Sequence, residues 1–286
     1  YIKVYTYVKL NLGGEKMIRL GMHTDNWRTL SGSFEAGCES AEKYNLEHIE
    51  AGIIHGQYFI QAMGYEPSIS LSQNPIAIRK YCDSKGLKIS QIDGSFPMMG
   101  VDGSTFGVQY VQQSIRFAKD LGCPKVDTTD SGHIARDLTK DEVLKITIRN
   151  YAECLKWAED YGIIINIEPH GPYTGDEEFM TKLFEHFDSE YLRFNMDTGN
   201  AFIMGKDPLE FMKTFEKYLT HFHIKDVDQG LADLVRGVDS GIACSEVAIG
   251  EGVNADNIKA CLEYLKTKDW SGDISIECFG SDEKIG

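Results

Sequence analysis

The chain has 286 residues, with 29 Lys plus Arg against 44 Asp plus Glu and a net charge of −15. At 42% hydrophobic, 11% aromatic and only 7 Pro, it is neither a disordered chain nor a collagenous repeat. So negative a charge argues against sequence-independent nucleic-acid binding, which needs a basic face to displace phosphate counterions. The length is close to the roughly 250 residues of a (β/α)8 barrel.

Residues 1–16 (YIKVYTYVKLNLGGEK) are β-prone but lack the apolar core and cleavage site of a signal peptide. Gly13-Gly14-Glu15-Lys16 before Met17 can be encoded by a purine-rich stretch followed by a start codon. This segment therefore reads as translated leader or as an N-terminal arm, and residues 17–286 as a single domain. The cysteines (Cys38, Cys82, Cys123, Cys154, Cys244, Cys261, Cys278) are odd in number and include no C-x-x-C pair, so a reducing, cytoplasmic setting is expected. No apolar run approaches the roughly 20 residues needed to span a bilayer, and no membrane contact is expected.

Eight short β-branched runs alternate with amphipathic helices. The expected strands are Ile18–Met22, His48–Ile53, Lys88–Ile92, Lys125–Thr128, Ile163–Glu168, Leu192–Met196, His221–Ile224 and Asp273–Glu277. Asn74-Pro75 opens a helix with an N-cap and Pro at its first position. Thr139 with Glu142 forms a capping box, followed by the stripe Leu144, Ile148, Tyr151, Leu155 and Ala158. Asp207-Pro208 opens a helix over Leu209–Leu219, and Asn254 opens one over Ala255–Lys266. Strand alternating with helix eight times implies parallel strands, and the count suits a closed TIM barrel better than an open sheet. Gly21-Met22-His23-Thr24-Asp25 after the first strand matches no phosphate-binding loop. The chain stops nine residues after Glu277, so the eighth helix is expected to be short or missing.

In such barrels chemistry sits at the C-terminal ends of strands. Four apolar runs close on polar groups there: Glu168, Asp197, His223 and Glu277. Strand alternation puts Glu168 on the face of Asn166, Asp197 with Asn195, and Glu277 with Ser275. Three carboxylates around one axis repel in a low-dielectric site, and a divalent cation is the simplest remedy. An oxygen-rich set with one imidazole suits Mn²⁺ best, with Mg²⁺, Co²⁺ or Zn²⁺ as alternatives. His221 shares the strand face of His223 but lies one layer deeper. His23, Asp25, Glu50, Asp93, Asp127, Thr129 and His133 fall at or near strand ends and are expected to line the mouth. His170, Asn200 and Lys225 are expected beside the ligands, with His133 a candidate general base. Trp27 and Phe96-Pro97-Met98-Met99 read as an apolar wall.

At Ile167-Glu168-Pro169-His170, Met196-Asp197-Thr198-Gly199-Asn200, His223-Ile224-Lys225-Asp226, Ile249-Gly250-Glu251-Gly252 and Ser275-Ile276-Glu277, the chain resembles the sugar-phosphate isomerase/epimerase superfamily, the xylose-isomerase-like barrels. The resemblance spans Met17 to Glu277. It implies a metal held by Glu168, Asp197, His223 and Glu277, with Glu168 and Glu277 as the proton-transferring pair of the epimerases. Many members carry a His three residues after the Asp ligand, where this chain has Asn200. The segment Gly237–Glu277 resembles the catalytic subunits of C-glycoside deglycosidases, which act on 3-oxo-glycosides beside a small second subunit. The resemblance thus implies a small carbohydrate substrate, with β-elimination, isomerisation or epimerisation as the reaction. A homo-oligomer, or a hetero-oligomer with such a subunit, is expected, mainly because of the missing eighth helix. An apurinic-endonuclease-like phosphodiesterase is the distant alternative, disfavoured by the net charge.

Overall fold

The structure is a computed structural model that describes residues 18–27, 32–55, 67–130, 135, 137–237, 241, 243 and 245–278, with the backbone alone at Ser95 and Phe96. The strands are β1 (Ile18–His23), β2 (His48–Ile54), β3 (Ile69–Ser70), β4 (Lys88–Pro97), β5 (Lys125–Thr129), β6 (Ile164–Ile167), β7 (Leu192–Asp197), β8 (Leu219–Ile224) and β9 (Gly272–Ile276). Every pairing is parallel. The order β1-β9-β8-β7-β6-β5-β4-β2, with β2 returning to β1, closes an eight-stranded barrel. All eight expected strands are present. The two-residue β3, which the sequence did not suggest, extends β2 outside the barrel. β4 runs five residues beyond its expected end, because after a register break at Asp93 it rejoins β5 through Pro97 and Thr129.

The helices are α1 (Phe34–Lys43), α2 (Pro75–Ser84), α3 (Val108–Leu121), α4 (Lys140–Tyr161), α5 (Glu177–Phe187), α6 (Thr198–Ile203), α7 (Pro208–Thr214), α8 (Gln229–Val235) and α9 (Ala255–Thr267). Their starts follow local chemistry. Asn74 accepts from the backbone N–H groups of Ile76 and Ala77, and Thr139 and Glu142 complete the capping box. Of the expected α4 stripe, Tyr151, Leu155 and Ala158 are buried and Leu144 and Ile148 pack half-buried against the core, with Val143, Thr147 and Cys154 buried beside them. α7 ends at Thr214, earlier than expected, because a 3-10 turn at Glu216–Tyr218 feeds β8, which already begins at Leu219. Asn254 precedes α9 but caps nothing with its side chain, which instead donates to the carbonyls of Thr198 and Lys225.

One apolar cluster fills the space between barrel and helices. Trp27, Met98 and Met99 belong to it at 3%, 0% and 2% exposure, so they are core and do not form the expected wall at the mouth. The six described cysteines are free thiols, and no helix among the described residues is long and apolar enough to cross a membrane. The leader segment 1–16, His133, Cys244 and the chain beyond Cys278, where an eighth helix would lie, fall outside the described residues.

Candidate metal centre

Each of the four strand-end groups is fixed by its own backbone. Glu168 and Glu277 stand one residue past β6 and β9. Their N–H groups still donate to the neighbouring strands, at Thr128 O (2.8 Å) and Ile224 O (3.0 Å). Asp197 ends β7 and caps α6: its Oδ1 accepts from the Asn200 N–H at 2.8 Å, which leaves Oδ2 to face the barrel axis. His223 lies opposite Asp197 in the β7–β8 register. The four residues are buried and offer ligand atoms that all lie within 4.8 Å of one another.

Chain cations and protons hold this cluster together. His223 Nδ1 lies 3.1 Å from Glu168 and 2.8 Å from Glu277. Lys225 Nζ lies 3.0 Å from Asp197 and 2.8 Å from Glu277, with the side chain only 1% exposed. Its stem runs over Gly199, where any Cβ would come within 2.7–2.9 Å of the lysine Cβ, Cγ and Cδ. Burial pushes Asp197 up to about 7 even against Lys225, with Glu277 and Glu168 adding to the rise. Burial opposes the proton on His223, but Glu50, Glu168 and Glu277 outweigh it and raise its pKa well above the usual imidazole value. For Glu277, burial is overcome by Lys225 and His223, which hold its carboxyl below the usual range.

The donor set fits a divalent ion. Asp197 Oδ2 and Glu277 Oε2 are buried acceptors that face cations at ion-pair distance yet receive no hydrogen bond of good geometry. Three carboxylate oxygens and one imidazole nitrogen are what hard or borderline cations take.

The expected neighbours divide into two groups. His170 reaches the centre, its Nε2 2.9 Å from Glu168 Oε2. Burial works against its proton, but Glu168 raises its pKa to about 9. Asn200 does not mimic a substrate-holding His so much as brace the ligands. Its amide donates to Glu168 at 3.1 Å, and its oxygen accepts from the Ala243 N–H at 2.9 Å and lies 3.4 Å from Lys225. His23 stands beside Glu277, its Nε2 3.3 Å from Asp93 and its Nδ1 accepting from the Asp25 N–H. Glu50 and Asp127 are buried in the barrel at 0% and 1% exposure, as are Asp197 and His223 at 0%. Burial, then Glu168 and Asp93, drive the Asp127 pKa well above the usual carboxylate value, and the carboxyl accepts from Asn195 at 3.1 Å.

Two roles escaped the sequence reading. Asp226 Oδ1 accepts from the N–H groups of Val227 and Asn254, and Oδ2 from those of Gly250 and Gly252. This gives the Gly250-Glu251-Gly252 segment its reason: a Cβ on Gly252 would strike Asp226 Oδ1 at 2.4 Å. Asp130 likewise gathers the N–H groups of Tyr173 and Thr174, fixing the loop that carries His170. An aspartate just after a strand, followed by a glycine-bearing loop, was the available signal.

Comparison with known proteins places residues 38–285 on the family model described as xylose isomerase-like TIM barrel. An inosose dehydratase of Bacillus cereus (strain AH820) is 25% identical over 134 residues, 42% of this chain and 44% of that relative, so the match spans less than half of the relative's length. A D-tagatose 3-epimerase-like protein superposes with a TM-score of 0.70 at 21% identity, covering 94% of this chain and 93% of the other. The IolI protein, solved with a bound zinc atom, gives 0.71 at 17% identity, covering 93% and 91%.

Proposed function

The chain belongs to the xylose isomerase-like TIM barrel family, and from that premise we propose that it is a divalent-metal-dependent enzyme of carbohydrate chemistry. In this reading it removes a proton next to the carbonyl of a sugar, best a 3-oxo sugar or glycoside, and expels a β-leaving group. The observation that carries the proposal is the convergence of Glu168, Asp197, His223 and Glu277 on one buried centre. An ion bound there polarises the carbonyl and acidifies the adjacent C–H. Mn²⁺ is the proposed ion. Zinc is the alternative, as bound by the IolI protein.

The residues around the centre divide the remaining work. The Glu168–His170 pair, 2.9 Å apart at the mouth, takes and returns the proton. Lys225 sets an ammonium beside Asp197 and Glu277, offsetting negative charge as it develops on substrate oxygen. Asn200 keeps Glu168 aimed. Both glutamates are engaged, Glu277 by Lys225 and His223 and Glu168 by His170, His223 and Asn200. A syn elimination can be served by groups on one face, whereas epimerisation needs groups on two opposite faces. The inosose dehydratases among the relatives support the elimination branch. Because both glutamates border one centre, ketose or inosose isomerisation with Glu168 and Glu277 as the proton pair is the second reading. A phosphodiesterase gains no support, since a net charge of −15 opposes binding of a phosphate backbone.

The test is incubation with Mn²⁺ and a panel of ketoses, inososes and 3-oxo-glycosides in D₂O. Release of water or aglycone is the expected result. Deuterium wash-in without bond cleavage transfers the assignment to the isomerase reading. No turnover of any member, with any divalent ion, overturns both.

A further inference from the structure

Below the centre runs a second set of buried polar groups that proton abstraction at the mouth does not use. Arg19 Nε lies 2.6 Å from Asp273 Oδ1, and Asp273 Oδ2 lies 2.6 Å from Lys125 Nζ. Lys125 Nζ lies 2.9 Å from His221 Nδ1. His221 Nε2 lies 2.8 Å from Glu50 Oε2, and the same oxygen lies 2.9 Å from His223 Nε2. From Lys125 onward every member is at most 5% exposed.

The direction of each hydrogen bond follows from the chemistry of its donor. An ammonium only donates, so His221 Nδ1 is an acceptor and its proton sits on Nε2. Its Nε2–H therefore donates to Glu50. The other Glu50 oxygen is filled by the Gln91 amide at 2.8 Å, which is itself bonded to Asn166. Glu50 is thus a carboxylate fixed from β2, β4 and β8. The Asn195 Nδ2, a donor, also lies 3.2 Å from His223 Nε2, but it already donates to Asp127 at 3.1 Å, and the closer Glu50 carboxylate at 2.9 Å takes the Nε2–H in a charge-assisted bond.

We propose that Glu50 is the positioning residue of the metal centre: it binds the Nε2–H of His223, fixing the tautomer and ring orientation in which Nδ1 is the ligand. Lys125, Asp273 and His221 hold Glu50 to that task from below. Nδ1 is the atom that faces Glu168 and Glu277, so the two ring nitrogens have separate partners, one in the floor and one in the centre. Carboxylates in this position raise ligand basicity, and their loss typically costs about 10–100-fold in metal affinity. This inference rests on the metal-centre reading above.

Titration of metal-stripped protein with Mn²⁺ or Zn²⁺ alone, followed calorimetrically, tests it without a substrate. Glu50→Gln is expected to bind about 10–100-fold more weakly than wild type, with Glu50→Asp recovering part of the loss. Long-range ¹⁵N–¹H spectra of zinc-loaded wild type read the tautomer directly and need no variant to fold. A protonated His223 Nε2 with Nδ1 shifted by zinc is the expected result. Zinc on Nε2, or unchanged affinity in a folded Glu50→Gln, overturns the role of Glu50 while leaving the metal centre standing. Failure of the wild type to bind any divalent ion overturns the metal-centre reading, and this inference with it.

Discussion

The barrel buries charge at two levels, and the levels are neutralised differently. In the floor, Asp273 is matched by the Lys125 ammonium and the Arg19 guanidinium. In the mouth, three carboxylates share one lysine, and the balance depends on imidazoles holding protons. The charge of Asp273 in the floor is matched by the chain's own residues. The mouth is arranged so that an added cation can replace protons. Buried pairs contribute little net stability when intact but are costly when broken, so the floor serves to present a rigid carboxylate, Glu50, to the ligand above it.

The comparison breaks most visibly at the ligands. Glu277→Gln or Asp197→Asn is expected to reduce turnover roughly 10³-fold, the loss of several kcal/mol of charge stabilisation, in a protein that still folds. Steady-state kinetics beside a thermal melt checks this, and retained turnover would remove the mouth from the chemistry.

Next in size, Lys125→Met leaves Asp273 with only the half-exposed Arg19 and is expected to cost about 3–5 kcal/mol by urea unfolding, whether or not Mn²⁺ is present. Lys225→Met is also expected to destabilise the metal-free protein, but added Mn²⁺ restores much of that loss by binding the folded state. Equal rescue of both variants, or of neither, would erase the distinction between the levels.

The smallest effect is the response to acid. Burial would raise the Asp273 pKa, but Lys125 holds its carboxyl below the usual carboxylate range. A depressed folded-state pKa gives stability that is present above the unfolded value and lost as pH falls through the folded one. The urea midpoint is therefore expected to fall below about pH 4, and Asp273→Asn to flatten that decline.

The sequence exposed the mouth because each ligand interrupts an apolar run at a strand's end, where side-chain alternation fixes its direction. Eight strands and their closure were legible for the same reason. The floor was not. Lys125 and Asp273 stand at or near the starts of strands, where a charge ordinarily faces solvent, and they meet only because β5 and β9 lie across a closed barrel. Glu50 reads as a rim residue until closure brings it against two histidines of β8. Met98 and Met99 read as a rim wall because they follow a strand. Instead that loop turns inward, held by Asn150, whose amide donates to Met98 O and Gly100 O.

The most direct test of the central claim is anomalous diffraction from crystals soaked in Mn²⁺, recorded at the manganese edge. One strong peak within about 2.0–2.6 Å of Glu168, Asp197, His223 Nδ1 and Glu277 is the expected result. A map with no peak there, and Lys225 still lodged between Asp197 and Glu277 at saturating manganese, would contradict it.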